Sequence, residues 1–516
     1  MNPSTNTTAQ ADPPETTATK ANDEENPFCT RYLVSDLKVR SVRGGAVTSL
    51  SYACRFVIRM GVTAVLARLL LPGDYGLIAM VTSITNLALM FHDLGLSTAT
   101  VQKPDITHEQ VSTLFWINVA LGIVIAIIVS ISAPAVAWFY NEPRLKLITV
   151  ALAVPFVFGG LAVQHQALLR RHMKFVPAGL VIIAASALGG LAAIISWALG
   201  AGYWALVIMN IVVSASTAVG MWIAFPWCPG FPKKHIEIGG MLKFGGNVTG
   251  FSIASYFSRN IDKVLIGRFV GSFTLGLYSR AYQILMMPIN QIRTPLNSVA
   301  LPALSALQND PERFRRYHAK LASFVAVTSM PLMVLMAICS NNVVALLLGG
   351  GWSGANRIFL AMAIAGIIQP VSGTRGVVML ASGQSGRYLR WGLFQSVTTV
   401  VSFVIGLNWG ALGVAIAYAC YNYLIFFPAA WYCFRQSPVS MKSFAQSLWR
   451  PLTASLCMGG VVFYIHMLLR HQMDVVQLGL CGVAGVCIFL VFCRLLPGGK
   501  AWFVEMRGYL ALIVKR

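Results

Sequence analysis

Residues 181–199 read VIIAASALGGLAAIISWAL, nineteen consecutive positions without a charged side chain. Wound as an α-helix at about 1.5 Å per residue, the run is about 29 Å long, close to the hydrocarbon thickness of a bilayer. A transmembrane β-strand needs only about 10 residues and alternates in polarity, so this uninterrupted run excludes a barrel. The segment 411–427, ALGVAIAYACYNYLIFF, has the same character. Outward from these two, a window of about 20 apolar residues marks fourteen spans: 44–69, 75–98, 112–138, 145–167, 176–199, 203–225, 241–268, 275–299, 319–340, 357–382, 389–407, 410–434, 449–469 and 475–495. The fold class expected is therefore all-α, a polytopic membrane protein with about fourteen helices.

Composition agrees. Of 516 residues, 56% are hydrophobic and 11% charged, against about 25% charged in an ordinary soluble domain, and the mean hydropathy is +0.68. The formal charge of +22 would suggest nucleic acid in a soluble protein. Here the cations sort by side of the membrane. With both termini in the cytoplasm, 25 Lys and Arg fall on that side and 4 on the other, the asymmetry of a correctly oriented polytopic chain. No nucleic-acid partner is expected.

Residues 1–40 are rich in Thr, Asn, Pro and Glu and read as a disordered cytoplasmic tail. No apolar run precedes Val42, so no cleavable signal peptide is expected. The ten cysteines form no CxxC pair and read as small apolar residues. The eight histidines are dispersed, HExxH and GxxxxGK[ST] are absent, and no segment after the tail is long enough for a soluble catalytic domain. His165 and His172 read as interfacial histidines. Neither an enzyme, a metal site nor a cofactor is expected.

The chain repeats itself at an offset of 200 residues. Arg59 meets Arg259, Arg68 meets Arg268, Gly76-Leu77 meets Gly276-Leu277, Gly45 meets Gly245 and Leu96 meets Leu296. ARLLLPGDYGL (67–77) and GRFVGSFTLGL (267–277) both read as a helix end, a short turn and the start of another helix. A six-span offset makes the repeats parallel, with a substrate site between them. The expected organisation is the tail (1–40), an N-lobe of helices 1–6 (41–240), a C-lobe of helices 7–12 (241–435), and helices 13–14 with a cytoplasmic C-tail (436–516).

Ten basic residues remain inside the spans: Arg55, Arg59, Arg68, Lys243, Arg259, Lys263, Arg268, Arg280, Arg293 and Arg375. Only two acids, Asp93 and Asp262, accompany them. Arg68, Lys243 and Arg268 lie near helix ends, where long side chains snorkel. The other seven would each cost roughly 2.5–3.5 kcal/mol at the bilayer centre, so they should face a shared hydrated cleft. Spacing agrees: Thr48, Tyr52, Arg55, Arg59 and Thr63 share one helix face, as do Ser252, Ser255, Arg259 and Lys263 on the corresponding helix. A cleft lined by guanidinium forks suits phosphate oxygens. The residues expected to bind a pyrophosphate or similar anionic head group are Arg55, Arg59, Arg259, Lys263, Arg280, Arg293 and Arg375. Asp93 and Asp262 are candidates for ion coupling or charge balance; Asp262, three residues after Arg259, would neutralise one cation, and a salt bridge to an arginine is the structural alternative for Asp93.

ARLLLPGDYGLIAM (67–80) and DLGLSTATVQ (93–102) resemble the bacterial lipopolysaccharide and exopolysaccharide flippases of the multidrug/oligosaccharidyl-lipid/polysaccharide exporter superfamily. RNIDKVLIGRFVG (259–271), LGLYSRAYQILMMPINQI (275–292) and VALPALSALQ (299–308) are similar to that family's second half. The resemblance covers about residues 40–435. It implies a fourteen-helix, two-lobed transporter of the bacterial inner membrane. Its cargo would be a polyprenyl-pyrophosphate-linked oligosaccharide repeat unit, moved by alternating access. Its partners would be that lipid-linked oligosaccharide, membrane lipids, and polysaccharide polymerase and assembly proteins. Alternatives are a cation-coupled multidrug exporter, which the ten-to-two excess of bases over acids disfavours, a lipid II flippase, or a non-transporting scaffold of a glycan assembly complex. Pro288, Pro295, Pro370, Gly373 and Gly376 are expected to supply bends.

Overall fold

The structure, a computed structural model, describes residues 54–93, 96–102, 106–231, 256 and 260–497. Every regular element among them is helical. In chain order these are α1 (54–69), α2 (Pro72–Asp93), α3 (Leu96–Gln102), α4 (His108–Tyr140), α5 (Leu145–Ala151), α6 (Val154–Arg171), α7 (Phe175–Ala198), α8 (Trp204–Ala224) and α9 (260–269). There follow α10 (Ser272–Ala306), α11 (Pro311–Ile338), α12 (Ser340–Leu348), α13 (Ala355–Gly366), α14 (Gln369–Ala381), α15 (Ser385–Leu407), α16 (Gly410–Phe434), α17 (Met441–Leu468) and α18 (Asp474–Leu495).

Among the described residues, ten helices or unbent helix pairs are long and apolar enough to cross a membrane, and eleven if the bent pair α13–α14 is one span. The chain is thus a multi-pass membrane protein. Three of the fourteen expected spans are not among these. The first and seventh lie partly outside the described residues, and the eighth is α10, whose 35 residues carry Arg280, Gln283, Asn290, Gln291 and Arg293. The 1–40 tail and the end of the C-tail also lie outside the described residues.

Helix ends follow local chemistry. Thr107 opens α4 with a capping box: its hydroxyl accepts from the Gln110 amide, and the Gln110 side chain accepts from the Thr107 amide. Asp310 and Ser440 cap α11 and α17 in the same side-chain-to-amide way. In the tenth span the chain bends by 40° between α13 and α14, with Pro370 in the first turn of α14. α10, by contrast, runs unbroken through Pro288 and Pro295. The fourth span is interrupted at Leu152 and Ala153, just before Pro155, a break its apolar pattern did not announce.

α2–α8 pack among themselves, as do α10–α18. The extensive joint between the two groups, among the described helices, is α2 against α10. Its geometry is reciprocal. A Cβ on Gly76 would lie 1.7 Å from the Ser272 carbonyl oxygen, and one on Gly276 would lie 1.8 Å from that of Pro72. Both pairs are related by the 200-residue offset. Further ties cluster nearby: the Trp352 indole donates to the Ala67 carbonyl (2.7 Å) and Arg68 to that of Leu346 (2.9 Å). α17 lies along α11, and α18 packs on α12 and α17. Asn342 of α12 pins this pair, donating to Asp474 and Gln477 at 2.7 Å each and meeting His466 at 2.8 Å.

Large apolar side chains such as Ile131, Leu180, Leu424 and Val483 point outward. On a chain that spans a bilayer this is the lipid-facing surface, where apolar exposure carries no hydrophobic cost.

Candidate functional site

Arg280 lies at the α2–α10 joint, and two further arginines stand on α1. Arg55 and Arg59 stand one turn apart on the exposed side of α1, close enough for their charges to interact. Thr63, a turn further, is buried, while Thr48 and Tyr52 of the same stripe lie outside the described residues. Arg280 of α10 places its guanidinium carbon 3.9 Å from the ring centre of Tyr75 on α2 and donates to the Gln283 side chain at 2.5 Å. The Tyr75 ring thus holds Arg280 where α2 and α10 meet.

Lys263 of α9 donates to the Asn260 side chain at 3.3 Å and lies 5.3 Å from the Tyr282 ring centre. Its neighbour Asp262 is 3% exposed. One Asp262 oxygen accepts from the Tyr278 hydroxyl at 2.8 Å, and the other, buried, has no hydrogen-bond partner. Arg259 lies outside the described residues, as does the side chain of Arg293.

Other candidates are occupied locally. Arg375, 6% exposed, donates to the carbonyls of Ser372 (3.1 Å) and Phe426 (2.8 Å), so it clamps α14 to α16. Asp93 accepts from the amide of Ser97 at 2.9 Å and from its hydroxyl, which ties α2 to α3 without an arginine. Arg68 caps α12 through Leu346, and Arg268 lies over Phe139 and Phe269. His165 stacks on Trp222 with ring centres 4.4 Å apart, and His172 packs against Phe225. Among the described residues no cluster of His, Cys, Asp or Glu could hold a metal.

Next to Lys263 and Asp262 opens a cavity of about 550 Å³ bounded by α9, α10, α14, α15 and α16. On α10 its wall is Tyr278, Tyr282, Met286 and Asn290, each four residues apart and so on one helix face. Arg280, two residues from Tyr278, points about 200° around the axis from it. α10 thus turns one side toward Tyr75 and another into the cavity. The remaining walls bring Gln369, Tyr388, Trp391, Gln395, Tyr418 and Asn422. A search for charges alone misses these residues. Their signal was the neutral amides Asn290, Gln369, Gln395 and Asn422, each inside an apolar span.

The model of a family described as polysaccharide biosynthesis protein matches residues 65–357. The teichuronic acid biosynthesis protein TuaB of Bacillus subtilis is 26% identical over 465 residues, 89% of this chain and 96% of the relative. The lipopolysaccharide biosynthesis protein WzxC of Escherichia coli is 25% identical over 449 residues, 85% and 90% of the two chains. The succinoglycan biosynthesis transport protein ExoT of Rhizobium meliloti is 25% identical over 422 residues, 81% and 84%. Among solved structures, the lipid II flippase MurJ in an inward closed conformation superposes with a TM-score of 0.71 at 13% identity, covering 87% of this chain and 98% of its own. That likeness speaks for the fold alone. The family model spans more than half of the sequence, and the chain belongs to the polysaccharide biosynthesis protein family.

Proposed function

We propose that this protein is a flippase. It moves a polyprenyl-pyrophosphate-linked oligosaccharide repeat unit across the bacterial inner membrane for lipopolysaccharide or exopolysaccharide synthesis. The name of ExoT, a succinoglycan biosynthesis transport protein, supports a transporter rather than an enzyme, and the fold is like that of the flippase MurJ. The observation that carries the reading is Arg280, a cation inside a membrane-spanning helix, seated over the Tyr75 ring where the two separately packed helix groups join. In a medium of low dielectric such a cation attracts an anion strongly, and planar guanidinium forks match phosphate oxygens.

In this reading Arg59 and Arg280 hold the pyrophosphate, with Arg55, Arg259 and Arg293 extending the cationic surface, while Lys263 stands beside Asp262 at the neighbouring cavity. Arg375, engaged with carbonyls, positions α14 and α16. The N-lobe is residues 41–240 and the C-lobe 241–435. They rock against each other at the α2–α10 joint, so that the cleft opens to each side in turn, while the prenyl chain stays in lipid. Asp262, with an unpartnered buried oxygen, balances Lys263 or takes up a coupling cation. Asp93 holds the α2–α3 turn. Both termini are cytoplasmic, and a polymerase and assembly proteins receive the exported unit.

Deletion followed by lipid extraction tests the function. Polyprenyl-linked repeat units should accumulate on the cytoplasmic face and return to normal on complementation; unchanged pools with normal surface polysaccharide would reject flipping. Arg59→Ala and Arg280→Ala should each lower export at least tenfold at equal protein level. Wild-type export in both would remove the phosphate site.

A further inference from the structure

The cavity between α9, α10, α14, α15 and α16 differs in chemistry from the cationic locality on the other side of α10. Among the described residues its charged lining is one carboxylate, Asp262, and one ammonium, Lys263, whose formal charges offset each other. What the cavity does offer is aromatic rings and neutral amides. Tyr282, Tyr388, Trp391, Tyr418 and Tyr421 contribute ring faces or phenols. Asn290, Gln369, Gln395 and Asn422 contribute amides.

Placing amides in an apolar medium without hydrogen-bond partners is costly, so this wall is built for water or for a ligand rich in hydroxyls. Local bonds hold it in shape. The Gln369 amide nitrogen donates to the Tyr418 hydroxyl at 2.9 Å, the Asn422 amide to the Tyr418 carbonyl at 2.8 Å, and Trp391 stacks on Tyr432 with ring centres 4.8 Å apart. In the first two cases the amide oxygen, an acceptor with two lone pairs, is not used by the bond described. Flat apolar rings beside fixed amide acceptors are complementary to a sugar, whose C–H face packs on aromatic surface while its hydroxyls donate. The volume of about 550 Å³ falls inside the roughly 300–1,000 Å³ of small-molecule sites.

We propose that this cavity is a subsite for the neutral saccharide part of the cargo, separated by α10 from the cationic site that takes the pyrophosphate. The proposal rests on the flippase reading and divides its cargo between two faces of one helix. Tyr278, Tyr282, Met286 and Asn290 face the sugar, and Arg280 faces the anion. Sugar selection is then a property of α14, α15 and α16, and recognition of the lipid carrier a property of α1 and α10.

The test measures binding to the full-length protein in nanodiscs, read by tryptophan fluorescence. Two probes are compared: a polyprenyl pyrophosphate without sugar, and the same lipid carrying a neutral tetrasaccharide. Wild type should bind the glycosylated probe about tenfold more tightly, the worth of one or two added hydrogen bonds. Gln395→Ala combined with Asn422→Ala should erase that increment and leave affinity for the bare lipid within twofold. Trp391→Ala should reduce the increment and Trp391→Phe restore most of it, which controls for loss of structure. Arg280→Ala should weaken both probes equally. Equal wild-type affinity for the two probes, or an increment that survives in the double variant, would overturn the saccharide subsite while leaving the flippase reading intact. Failure of wild type to bind either lipid would instead count against the flippase reading.

Discussion

Tyr75 shows how much one side chain can contribute to joining two halves of a transporter. Its ring is 2% exposed, faces the Arg280 guanidinium at 3.9 Å, and meets Trp352 edge-on with centres 5.3 Å apart. Its hydroxyl is buried without a hydrogen-bond partner. The ring therefore matters and the hydroxyl does not. A desolvated cation–π contact contributes up to about 2 kcal/mol, more than a factor of ten in an equilibrium. Tyr75→Phe should keep export within about twofold of wild type, because removing an unsatisfied hydroxyl costs little. Tyr75→Leu should lower it about tenfold, measured as surface polysaccharide at matched protein level. Arg280, Lys263 and Asp262 stood out in the sequence because a charge inside an apolar span is rare and costly. Tyr75 did not, since a tyrosine at a helix start has many ordinary uses.

At the scale of elements, the packing of α2 on α10 depends on two glycines. An added methyl at either would fall within 2 Å of a carbonyl oxygen on the other helix, so the helices must separate to admit it. Gly76→Ala and Gly276→Ala should each lower stability by about 1–3 kcal/mol, the range for overpacking, read as a drop in thermal melting in detergent. Because each contact mirrors the other, separation forced by one alanine relieves the second. The double variant should therefore lose clearly less than the sum of the singles, the coupling expected of residues in contact. The matching of Gly76-Leu77 to Gly276-Leu277 was visible in the sequence. That the two sites touch each other was not, because an internal repeat records ancestry without recording which repeated surfaces meet. The tenth span divides similarly: Pro370 announced a bend, but its 40° angle and place between Gly366 and Gln369 depend on what α13 and α14 pack against.

For the whole molecule, the α2–α10 joint, the Trp352–Ala67 bond and the Arg68–Leu346 bond all lie near the α1–α2 and α9–α10 turns. The proposed orientation puts those turns on the periplasmic side, which would make that face the closed one. The orientation itself has a direct check. Green fluorescent protein fused after Arg516 should fluoresce, and alkaline phosphatase fused after Trp409, in the α15–α16 turn, should be active. The reverse pattern would invert the topology and with it the assignment of the closed face.

The sequence by itself determined that this chain is a helical membrane protein, where most of its spans run, and which charges are misplaced in lipid. Those properties follow from local hydrophobicity and from the cost of each charge in hydrocarbon, and both can be read one segment at a time. Only the tertiary structure decided that Arg280 faces Tyr75, that Arg375 is engaged by carbonyls, and that neutral side chains from five helices surround one cavity. The physical reason is that lipid and helix interface are equally apolar. Hydropathy therefore does not set the rotation of each helix about its axis, and packing between helices must.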